Sequence, residues 1–344
     1  MRAAVVTTPG TLHLTRHQIP APAAGELLLR VETCGICHSD LHAIDGDWDP
    51  APRLPLIPGH EVIGIVDRVG PDVSPELIGR RFGVAWHAGA CGSCAWCRSG
   101  FETVCPEAEM TGYTRNGGFA EYLTARADYA IELPADLDPL AMAPVLCAGV
   151  TTFRGLNRAG VMNGDWVVIS GAGGLGHLAV QYAIARGARV IAIDPSESRR
   201  TLAADLGAEQ VLSSDEPAIA RTIADLTGGG PRAVLVTAPA PSAFEVAIDI
   251  VRPGGAVVFI GLPGRDSDQI RLSISSVSNW EKSIIGSNVG SRSDLRAAVD
   301  LSVTGQIRAH VSPVAFDALP QALAALRRGD VDGRLVLDMR EPSA

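Results

Sequence analysis

One glycine-rich segment constrains the fold of this chain more than any other feature. It spans 171–176, reads GAGGLG, and lies between an apolar run at Trp166–Ser170 and a stretch of helical apolar spacing at Leu175–Ala185. A second apolar run, Arg189–Ile193, completes a strand–turn–helix–strand pattern. Glycines permit a tight turn and let a pyrophosphate approach the N-terminus of the next helix, where backbone N–H groups favour negative charge. The residues predicted to bind a dinucleotide here are Gly171, Gly173, Gly174, Leu175 and Gly176.

The chain continues in the same alternating pattern. Apolar runs at Ala233–Val236 and Ala256–Ile260 alternate with helical stretches around Ser198–Leu206 and Ala243–Val251. Strands that alternate with helices in this way form a parallel, doubly wound sheet. We therefore predict an α/β chain whose residues 150–286 form a Rossmann dinucleotide-binding domain.

Asp194 follows the second predicted strand, about 20 residues beyond the turn. A carboxylate at this position accepts hydrogen bonds from the adenosine ribose and repels a 2′-phosphate, so NAD is favoured over NADP. The alternative role is that of a surface aspartate that caps the next helix. Arg199 belongs to the same segment and is expected either to pair with a ribose hydroxyl or to be solvated.

The remaining residues, 1–149 and 287–344, are predicted to form one β-rich domain. The N-terminal part is rich in glycine and proline and has short apolar runs at Glu26–Val31 and Val62–Val69, which indicate strands. The tail has helical stretches at Asp294–Val303 and Leu319–Arg328 and a final strand at Arg334–Asp338. Because it contains no new glycine turn, we expect it to return to the first domain.

Charge and composition exclude several classes of function. The formal net charge is -9 and no basic run occurs, so nucleic acid is not an expected partner. No stretch approaches the roughly 20 apolar residues of a membrane span, and the N-terminus lacks a leader pattern. We expect a cytoplasmic protein without a membrane partner. Its seven cysteines are odd in number and closely spaced, which favours metal binding over disulfides.

Four of these cysteines share one short segment, 91–105, with the pattern C-x2-C-x2-C-x7-C. Four thiolates at such spacing provide a closed tetrahedral site, so the expected metal is a structural zinc. An iron–sulfur cluster is a weaker alternative, since thiolates also bind iron. Four thiols without any metal would be open to oxidation. The predicted ligands are Cys91, Cys94, Cys97 and Cys105.

A second set of metal-binding residue types is scattered along the first domain. Cys37 lies in CGICHSD, His60 and Glu61 in PGHE, and Cys147 in LCAG. Each is weak evidence alone, because a buried cysteine is more often a small core residue and a histidine after glycine is more often a loop residue.

The order of these motifs resembles that of a known family. CGICHSDLHAIDGDW, PLIPGHE, the four-cysteine segment, GGFAEY, LCAGVT and the glycine turn follow one another as in the medium-chain zinc-dependent alcohol dehydrogenases, along essentially the whole chain. The shorter tetrameric microbial branch that includes the yeast enzymes is the most similar. The resemblance implies a GroES-like catalytic domain, a homotetramer, and hydride transfer between NAD and a small primary alcohol, or a secondary or aromatic one.

The resemblance also implies a second, catalytic zinc held by Cys37, His60 and Cys147, with the fourth position open to water or substrate. An open position suits this chemistry because a bound cation lowers the pKa of a coordinated water to about 7. Each chain would then hold two zinc ions, and Cys34 would be a thiol outside both sets. Glu61 would lie behind the catalytic zinc as an occasional ligand.

Further roles follow from the same resemblance. Ser39 would take the alcohol proton and pass it, through the ribose 2′-hydroxyl, to His42, since histidine titrates near neutrality. Asp40 would orient His60, as carboxylates commonly do for histidine ligands; a turn aspartate is the alternative. His38 would contact the pyrophosphate, and Thr151 would pack against the nicotinamide.

The substrate pocket of the yeast-like enzymes maps onto Trp48, Trp86 and Leu262, although large apolar side chains are commonly core residues. Ser39 stands where the yeast pattern has threonine. A missing methyl group admits a bulkier alcohol and is worth only about 1–3 kcal/mol of discrimination. Asn288 replaces an aromatic residue of that pattern.

Two other functions compete with this interpretation. A zinc-free quinone or enoyl reductase has the same two-domain organisation but lacks both cysteine sets. A binding module would use 91–105 to recognise a macromolecule, and the acidic charge argues against it. The expected zinc content separates the three: two per chain for the dehydrogenase, one for the module, none for the reductase.

Overall fold

The computed structural model describes residues 1–264 and 267–340. The chain forms two compact units. The first contains Met1–Cys147 and the chain from Val289 onward, and the second contains Ala148–Asn288. The C-terminal segment therefore belongs to the first unit.

A seven-stranded, mainly antiparallel sheet forms the centre of the first unit, in the order β16-β17-β3-β4-β5-β9 with β8 also paired to β3. The strands are β1 (Arg2–Thr8), β2 (Thr11–Arg16), β3 (Glu26–Ile36), β4 (Glu61–Val69), β5 (Arg81–Val84), β6 (His87–Gly89), β7 (Glu109–Met110), β8 (Tyr122–Arg126), β9 (Ile131–Leu133), β16 (Val311–Ala315) and β17 (Arg334–Asp338). The helices are α1 (His38–Asp45), α2 (Ala95–Arg98), α3 (Pro139–Met142), α10 (Arg292–Val303) and α11 (Leu319–Arg328). Short 3-10 helices cover Pro75–Leu77, Glu102–Val104, Ala143–Leu146 and Phe316–Ala318.

Strand β3 organises this sheet because it pairs with β4, β8 and β17. The sequence predicted a strand only over Glu26–Val31, whereas β3 continues to Ile36. Its last residues are buried on both faces and pair with β4 on one side and β17 on the other. Double burial removes the alternation of polar and apolar residues that identifies a strand end in a sequence. The extension carries the chain to Cys37, directly after the strand.

The second unit contains a six-stranded parallel sheet in the order β12-β11-β10-β13-β14-β15. Its strands are β10 (Trp166–Ser170), β11 (Arg189–Ile193), β12 (Gln210–Leu212), β13 (Ala233–Val236), β14 (Ala256–Phe259) and β15 (Ser283–Gly286). Its helices are α4 (Ala148–Ala159), α5 (Gly176–Ala185), α6 (Glu197–Asp205), α7 (Ile219–Thr227), α8 (Pro241–Ile250) and α9 (Ile274–Ser278). This is the predicted Rossmann fold.

The strand order reverses beside β10. From β10 the chain moves outward to β11 and β12 and then returns to the other side of β10 with β13. In open α/β sheets, ligands bind at the carboxyl ends of the strands at such a switch point. The segment after Ser170, the last residue of β10, is the glycine turn, so the fold places the predicted dinucleotide site at the switch point.

Two glycines of the turn have no room for a side chain. Gly171 has a φ of +99°, and a Cβ there would come within 2.8 Å of the Ala238 backbone nitrogen. A Cβ on Gly176 would lie 1.8 Å from the Gly171 carbonyl oxygen. The turn and the first residue of α5 therefore require glycine for steric reasons.

Among the described residues, no single helix is both long and apolar enough to span a membrane, although the bent pair Pro139–Leu146 and Ala148–Ala159 meets the criterion by length and composition.

Candidate metal centres and cofactor site

Cys37 occupies the junction between β3 and α1. It is the N-cap residue of α1, with extended backbone angles (φ -122°, ψ 157°), so the chain turns sharply from strand into helix at this thiol. Asp40, in the first turn of α1, accepts a hydrogen bond from the Cys37 backbone N–H through Oδ2 (2.8 Å). An acid in the first turn also compensates the helix N-terminus.

The same carboxylate fixes the loop that carries His60. Its Oδ1 accepts hydrogen bonds from the Gly59 backbone N–H (3.1 Å) and from His60 Nδ1 (2.9 Å). Asp40 and His60 are both fully buried. Because an ionised carboxylate only accepts hydrogen bonds, Nδ1 of His60 must carry the proton. In the neutral ring Nε2 then has the lone pair, and it lies 3.3 Å from Cys147 Sγ.

Cys37, His60, Glu61 and Cys147 form one buried cluster, in which one potential ligand atom from each residue lies within 4.8 Å of the others. The thiol of Cys147 forms a hydrogen bond with Cys37 that lowers the pKa of Cys37, although burial opposes this. The same hydrogen bond, together with burial, raises the pKa of Cys147. The two sulfurs therefore compete for one proton. A divalent cation would allow both to ionise, so the donor set fits zinc.

Glu61 adds an acidic side chain to this cluster. It forms a buried ion pair with Arg334 of β17, which also donates to the Ile36 carbonyl at 3.2 Å. Burial raises the pKa of Glu61 to about 7, against the Arg334 charge, which lowers it. Glu61 Oε2 is buried without a hydrogen-bond partner, and a Cβ on Gly35 would lie 1.8 Å from it. The glycine of the CGIC motif thus makes room for the carboxylate beside the ligand set.

The four clustered cysteines form a second site. The Sγ–Sγ distances are 3.5 Å for Cys94–Cys97, 3.6 Å for Cys91–Cys105, 3.8 Å for Cys94–Cys105 and 3.9 Å for Cys91–Cys97. Four sulfurs about 2.3 Å from a tetrahedral zinc would be about 3.8 Å apart. Hydrogen bonds from the backbone N–H groups of Ser93 and Cys94 lower the pKa of Cys91 to about 6, which favours a thiolate. This donor set also fits zinc.

Glu102 and Tyr129 make contacts that attach the four-cysteine segment to the rest of its unit. Glu102, between Cys97 and Cys105, forms an ion pair with Arg292 at the start of α10 (3.0 Å) and accepts its backbone N–H (2.7 Å). Tyr129 packs against Cys105 and lies between the guanidinium groups of Arg126 and Arg292. These contacts join the four-cysteine segment to residues that are far from it in the sequence.

The residues of the predicted proton relay lie on α1. Ser39 and His42 are three positions apart, so they occupy neighbouring positions on one face of the helix. His42 Nδ1 lies 2.9 Å from Asp47 Oδ2, and its ring stacks on Trp48 with a centroid separation of 4.7 Å. His38, the first residue of α1, is exposed.

Aromatic side chains pack beside the ligand set. The rings of Trp86 and His60 are nearly perpendicular, with 4.9 Å between centroids, and the centroids of Trp48 and Trp86 are 6.0 Å apart. Tyr113 completes the group and donates a hydrogen bond to the Pro50 carbonyl (2.6 Å). Leu262, the third predicted pocket residue, lies in the second unit and is 56% exposed.

Asp194 supports the glycine turn directly. It is buried, its Oδ2 accepts the Ala172 backbone N–H (2.8 Å), and its Oδ1 accepts the Ser196 backbone N–H (2.9 Å). The guanidinium of Arg199 lies against the turn, 3.8 Å from the position of a Cβ on Gly173. Thr151 is buried in α4. Asp194 is thus not a surface aspartate, but it does connect the turn to the start of α6.

Comparisons with known proteins agree with this geometry. Residues 23–135 match the alcohol dehydrogenase GroES-like domain, and residues 174–304 match the zinc-binding dehydrogenase family. An alcohol dehydrogenase of Geobacillus stearothermophilus is 41% identical over 342 residues, which cover 99% of this chain and all of the relative. The chain belongs to the medium-chain zinc-dependent alcohol dehydrogenases.

Solved dehydrogenase structures share the fold over nearly the full length. An alcohol dehydrogenase from Aeropyrum pernix superimposes with a TM-score of 0.90 at 29% identity, covering 98% of this chain and 100% of that one. An acetophenone reductase from Geotrichum candidum, in complex with NAD, gives 0.86 at 30% identity, covering 98% and 96%. As a zinc-dependent alcohol dehydrogenase, the protein is an enzyme with a nicotinamide cofactor.

Three residues of the site have no assigned role in the sequence analysis: Arg334, Asp47 and Tyr113. Arg334 is 273 positions from its partner Glu61, so only the predicted return of the tail to the first domain hinted at it. Asp47 is five positions from His42 and follows a glycine at a helix end, a local signal that was available. Tyr113 contacts the tryptophans only through tertiary packing.

We predict that Asp40→Asn weakens the catalytic metal site. Asp40 accepts three hydrogen bonds through its two oxygens. In asparagine one of these oxygens becomes an NH2 group, which cannot accept a hydrogen bond, so at least one of the three bonds is lost. Loss of such a supporting carboxylate typically costs 10–100-fold in metal affinity or activity. Zinc retained after dialysis against a chelator and turnover of the zinc-loaded enzyme measure the effect. Asp45→Asn is the control on the same helix, and equal zinc retention in both variants would contradict the prediction.

We predict that Cys94→Ala chiefly lowers stability. Loss of a bound metal lowers the free energy of unfolding by at least about 4 kcal/mol, which is among the largest effects of a single substitution. In a unit of this size, each kcal/mol lowers the melting temperature by about 2–4 °C. Zinc analysis should find one ion fewer per chain, and the melting midpoint should fall by about 8–16 °C. Cys34→Ala removes a buried thiol outside both clusters and should retain the full zinc content. A Cys94→Ala enzyme with an unchanged midpoint and slower turnover would reverse the roles of the two sites.

Proposed function

We propose that this enzyme oxidises a small primary alcohol, or a secondary or aromatic one, to the aldehyde or ketone with NAD as hydride acceptor. The observation that carries the proposal is the buried set of Cys37, His60 and Cys147 with the lone pair of His60 Nε2 held toward the sulfurs by Asp40. Three ligands of this kind leave one position of a tetrahedral zinc for substrate, whereas the four-cysteine site is closed.

The residues divide the chemistry among them. Cys37, His60 and Cys147 would hold the catalytic zinc, with Glu61 as the nearby carboxylate. When bound, the zinc supplies a Lewis acid that lowers the pKa of the substrate hydroxyl. Asp40 holds the histidine ring and the Cys37 backbone in place, so the ligands need little rearrangement.

The proton leaves through α1. Ser39 is the group that would take the hydroxyl proton, and His42, three residues further along the helix, would receive it through the cofactor ribose and release it to water. Both residues are only partly buried, which gives the proton a route to solvent.

The glycine turn and Asp194 would bind the cofactor. The buried carboxylate at the end of β11 supports NAD, since a 2′-phosphate placed beside it would be repelled. Arg199, beside the turn, provides a positive charge for the cofactor. Thr151 and His38 are the residues proposed to contact the nicotinamide and the pyrophosphate.

The aromatic group beside His60 would shape the alcohol site. Trp48 and Trp86 present large, rigid surfaces, which favours short or flat substrates. Ser39 in place of threonine frees the volume of a methyl group and supports activity on secondary alcohols. We also propose a homotetramer, on the likeness to the microbial branch.

A substrate panel tests the proposal. Zinc-loaded enzyme is mixed with NAD and ethanol, 1-propanol, 2-propanol or benzyl alcohol, and NADH is followed by absorbance. We expect NADH formation with at least one primary alcohol, and complete loss of turnover in a folded His60→Ala enzyme. Absence of NADH with every alcohol, from protein that holds two zinc ions per chain, would contradict it.

Cofactor choice gives a separate prediction. Asp194→Asn removes the charge but keeps one oxygen that can accept a turn N–H, so the NADP-to-NAD ratio of kcat/KM should rise about tenfold, equivalent to about 1.4 kcal/mol of removed repulsion. Asp205→Asn, at the end of α6, is the control. Initial rates with both cofactors give the ratio. Wild-type enzyme that already uses both cofactors equally would show that Asp194 does not select NAD.

A further inference from the structure

The contact between His42 and Asp47 suggests a residue role beyond those described above. We propose that Asp47 is a positioning residue for the proton relay: it holds the proton of His42 on Nδ1, so that Nε2 is the nitrogen that accepts the proton of the reaction. The inference rests on the proposed relay through Ser39 and His42. The role of Asp47 is inferred from the 2.9 Å distance between His42 Nδ1 and Asp47 Oδ2.

The end of α1 brings Asp47 back to the histidine. Gly46 ends the helix in the left-handed conformation (φ 70°, ψ 32°), which glycine adopts without strain. The backbone N–H groups of Gly46 (2.9 Å) and Asp47 (3.2 Å) both donate to the His42 carbonyl oxygen. The ring and the carbonyl of His42 are therefore both bound by the two residues that follow the helix.

Hydrogen-bond chemistry decides the tautomer. A neutral imidazole has one nitrogen that donates and one that accepts, and an ionised carboxylate can only accept. The nitrogen that faces Asp47 must therefore be the donor. This leaves the lone pair on Nε2, the nitrogen remote from the carboxylate. The same logic applies to Asp40 and His60 in the metal site.

The ring is held in a second direction by stacking. Trp48 lies 4.7 Å from the His42 ring centroid with an interplanar angle of 26°, so the indole covers one face while Asp47 binds the edge. A contact in the ring plane and a contact on the ring face together restrict both side-chain torsions of His42. Trp48 also packs beside Trp86 in the proposed substrate site, so the relay and the pocket share a wall.

The other charged groups near this end of α1 are paired elsewhere or exposed. Asp45 is bound by Arg327 of α11 through two hydrogen bonds of 2.6 and 2.9 Å, and the charge of Asp47 also raises the pKa of Arg327. Strand β2, which also packs against α1, carries His13 and Arg16, both exposed. Within the described chain, Asp47 is the acid that hydrogen-bonds the His42 ring.

The step moves one proton and needs no further reactant. The Nε2 lone pair takes a proton from the relay, the ring becomes an imidazolium, and the Nδ1 proton stays in its hydrogen bond to the ionised Asp47. Nε2 then releases the proton to water. Asp47 keeps its charge throughout and is beside the positive charge that the ring acquires.

Asp47→Asn tests the role. An asparagine can donate its amide N–H to Nδ1, which moves the histidine proton to Nε2 and blocks acceptance there. We expect turnover near neutral pH to fall roughly tenfold, below the full 10²–10⁴-fold range for general-base assistance. KM for NAD and alcohol should change less than about twofold, and the loss should shrink as pH rises because hydroxide takes the proton directly. Asp47→Glu should restore part of the rate.

A spectroscopic readout separates positioning from a general structural effect. ¹⁵N spectra of histidine-labelled, zinc-loaded enzyme without substrate report the tautomer, and the His42 signals are those missing from His42→Gln. We expect the proton on Nδ1 in wild type and in the Asp45→Asn control, and on Nε2 in Asp47→Asn. A wild-type His42 protonated on Nε2 would overturn the inference.

Kinetics distinguish this inference from the proposed relay. A His42→Gln enzyme with the turnover and pH profile of wild type would show that the relay itself is wrong, and the role of Asp47 with it. A slow His42→Gln enzyme together with an Asp47→Asn enzyme as fast as wild type at every pH would leave the relay in place and overturn the role of Asp47 alone.

Discussion

The site depends on one buried carboxylate, that of Asp40. It accepts hydrogen bonds from the Cys37 backbone, the Gly59 backbone and the His60 ring, and these donors come from two segments of the first unit. Because a buried carboxylate is stable only with such donors, the side chain and its three partners fix one another. The orientation of both the strand-to-helix junction and the histidine follows from this single group.

We propose that the cluster around Asp40 is a cation site. Two cysteines compete for one proton, and Glu61 is kept ionisable by the buried Arg334 rather than by solvent. Burial of so many acidic groups is costly without compensation. In the four-cysteine segment, the distances between sulfur atoms are already close to those around a tetrahedral zinc. On the proposed ligand sets, four cysteines would close one site, whereas three ligands would leave a free position at the other.

The sequence predicted the second unit better than the first. Buried parallel strands appear as continuous apolar runs, so Trp166–Ser170, Arg189–Ile193 and Ala233–Val236 are found where predicted. The ligand residue types were visible as motifs, but their convergence depends on pairing between β3, β4 and β17, which no local pattern encodes. The contact of Arg334 with Glu61 and the tautomer of His42 depend on tertiary placement and side-chain rotamers. The end of β3 was missed because its residues are buried on both faces.

We propose that three residues, oriented by Asp40, hold a zinc with an open position while four cysteines hold another. Zinc K-edge X-ray absorption of the purified enzyme, with metal counted in the same sample, tests it directly. We expect two zinc ions per chain and an average first shell of three sulfurs and one nitrogen or oxygen per zinc, because six cysteines, one histidine and one water at the open position would be shared between two four-coordinate ions. One zinc per chain in an all-sulfur shell would contradict it.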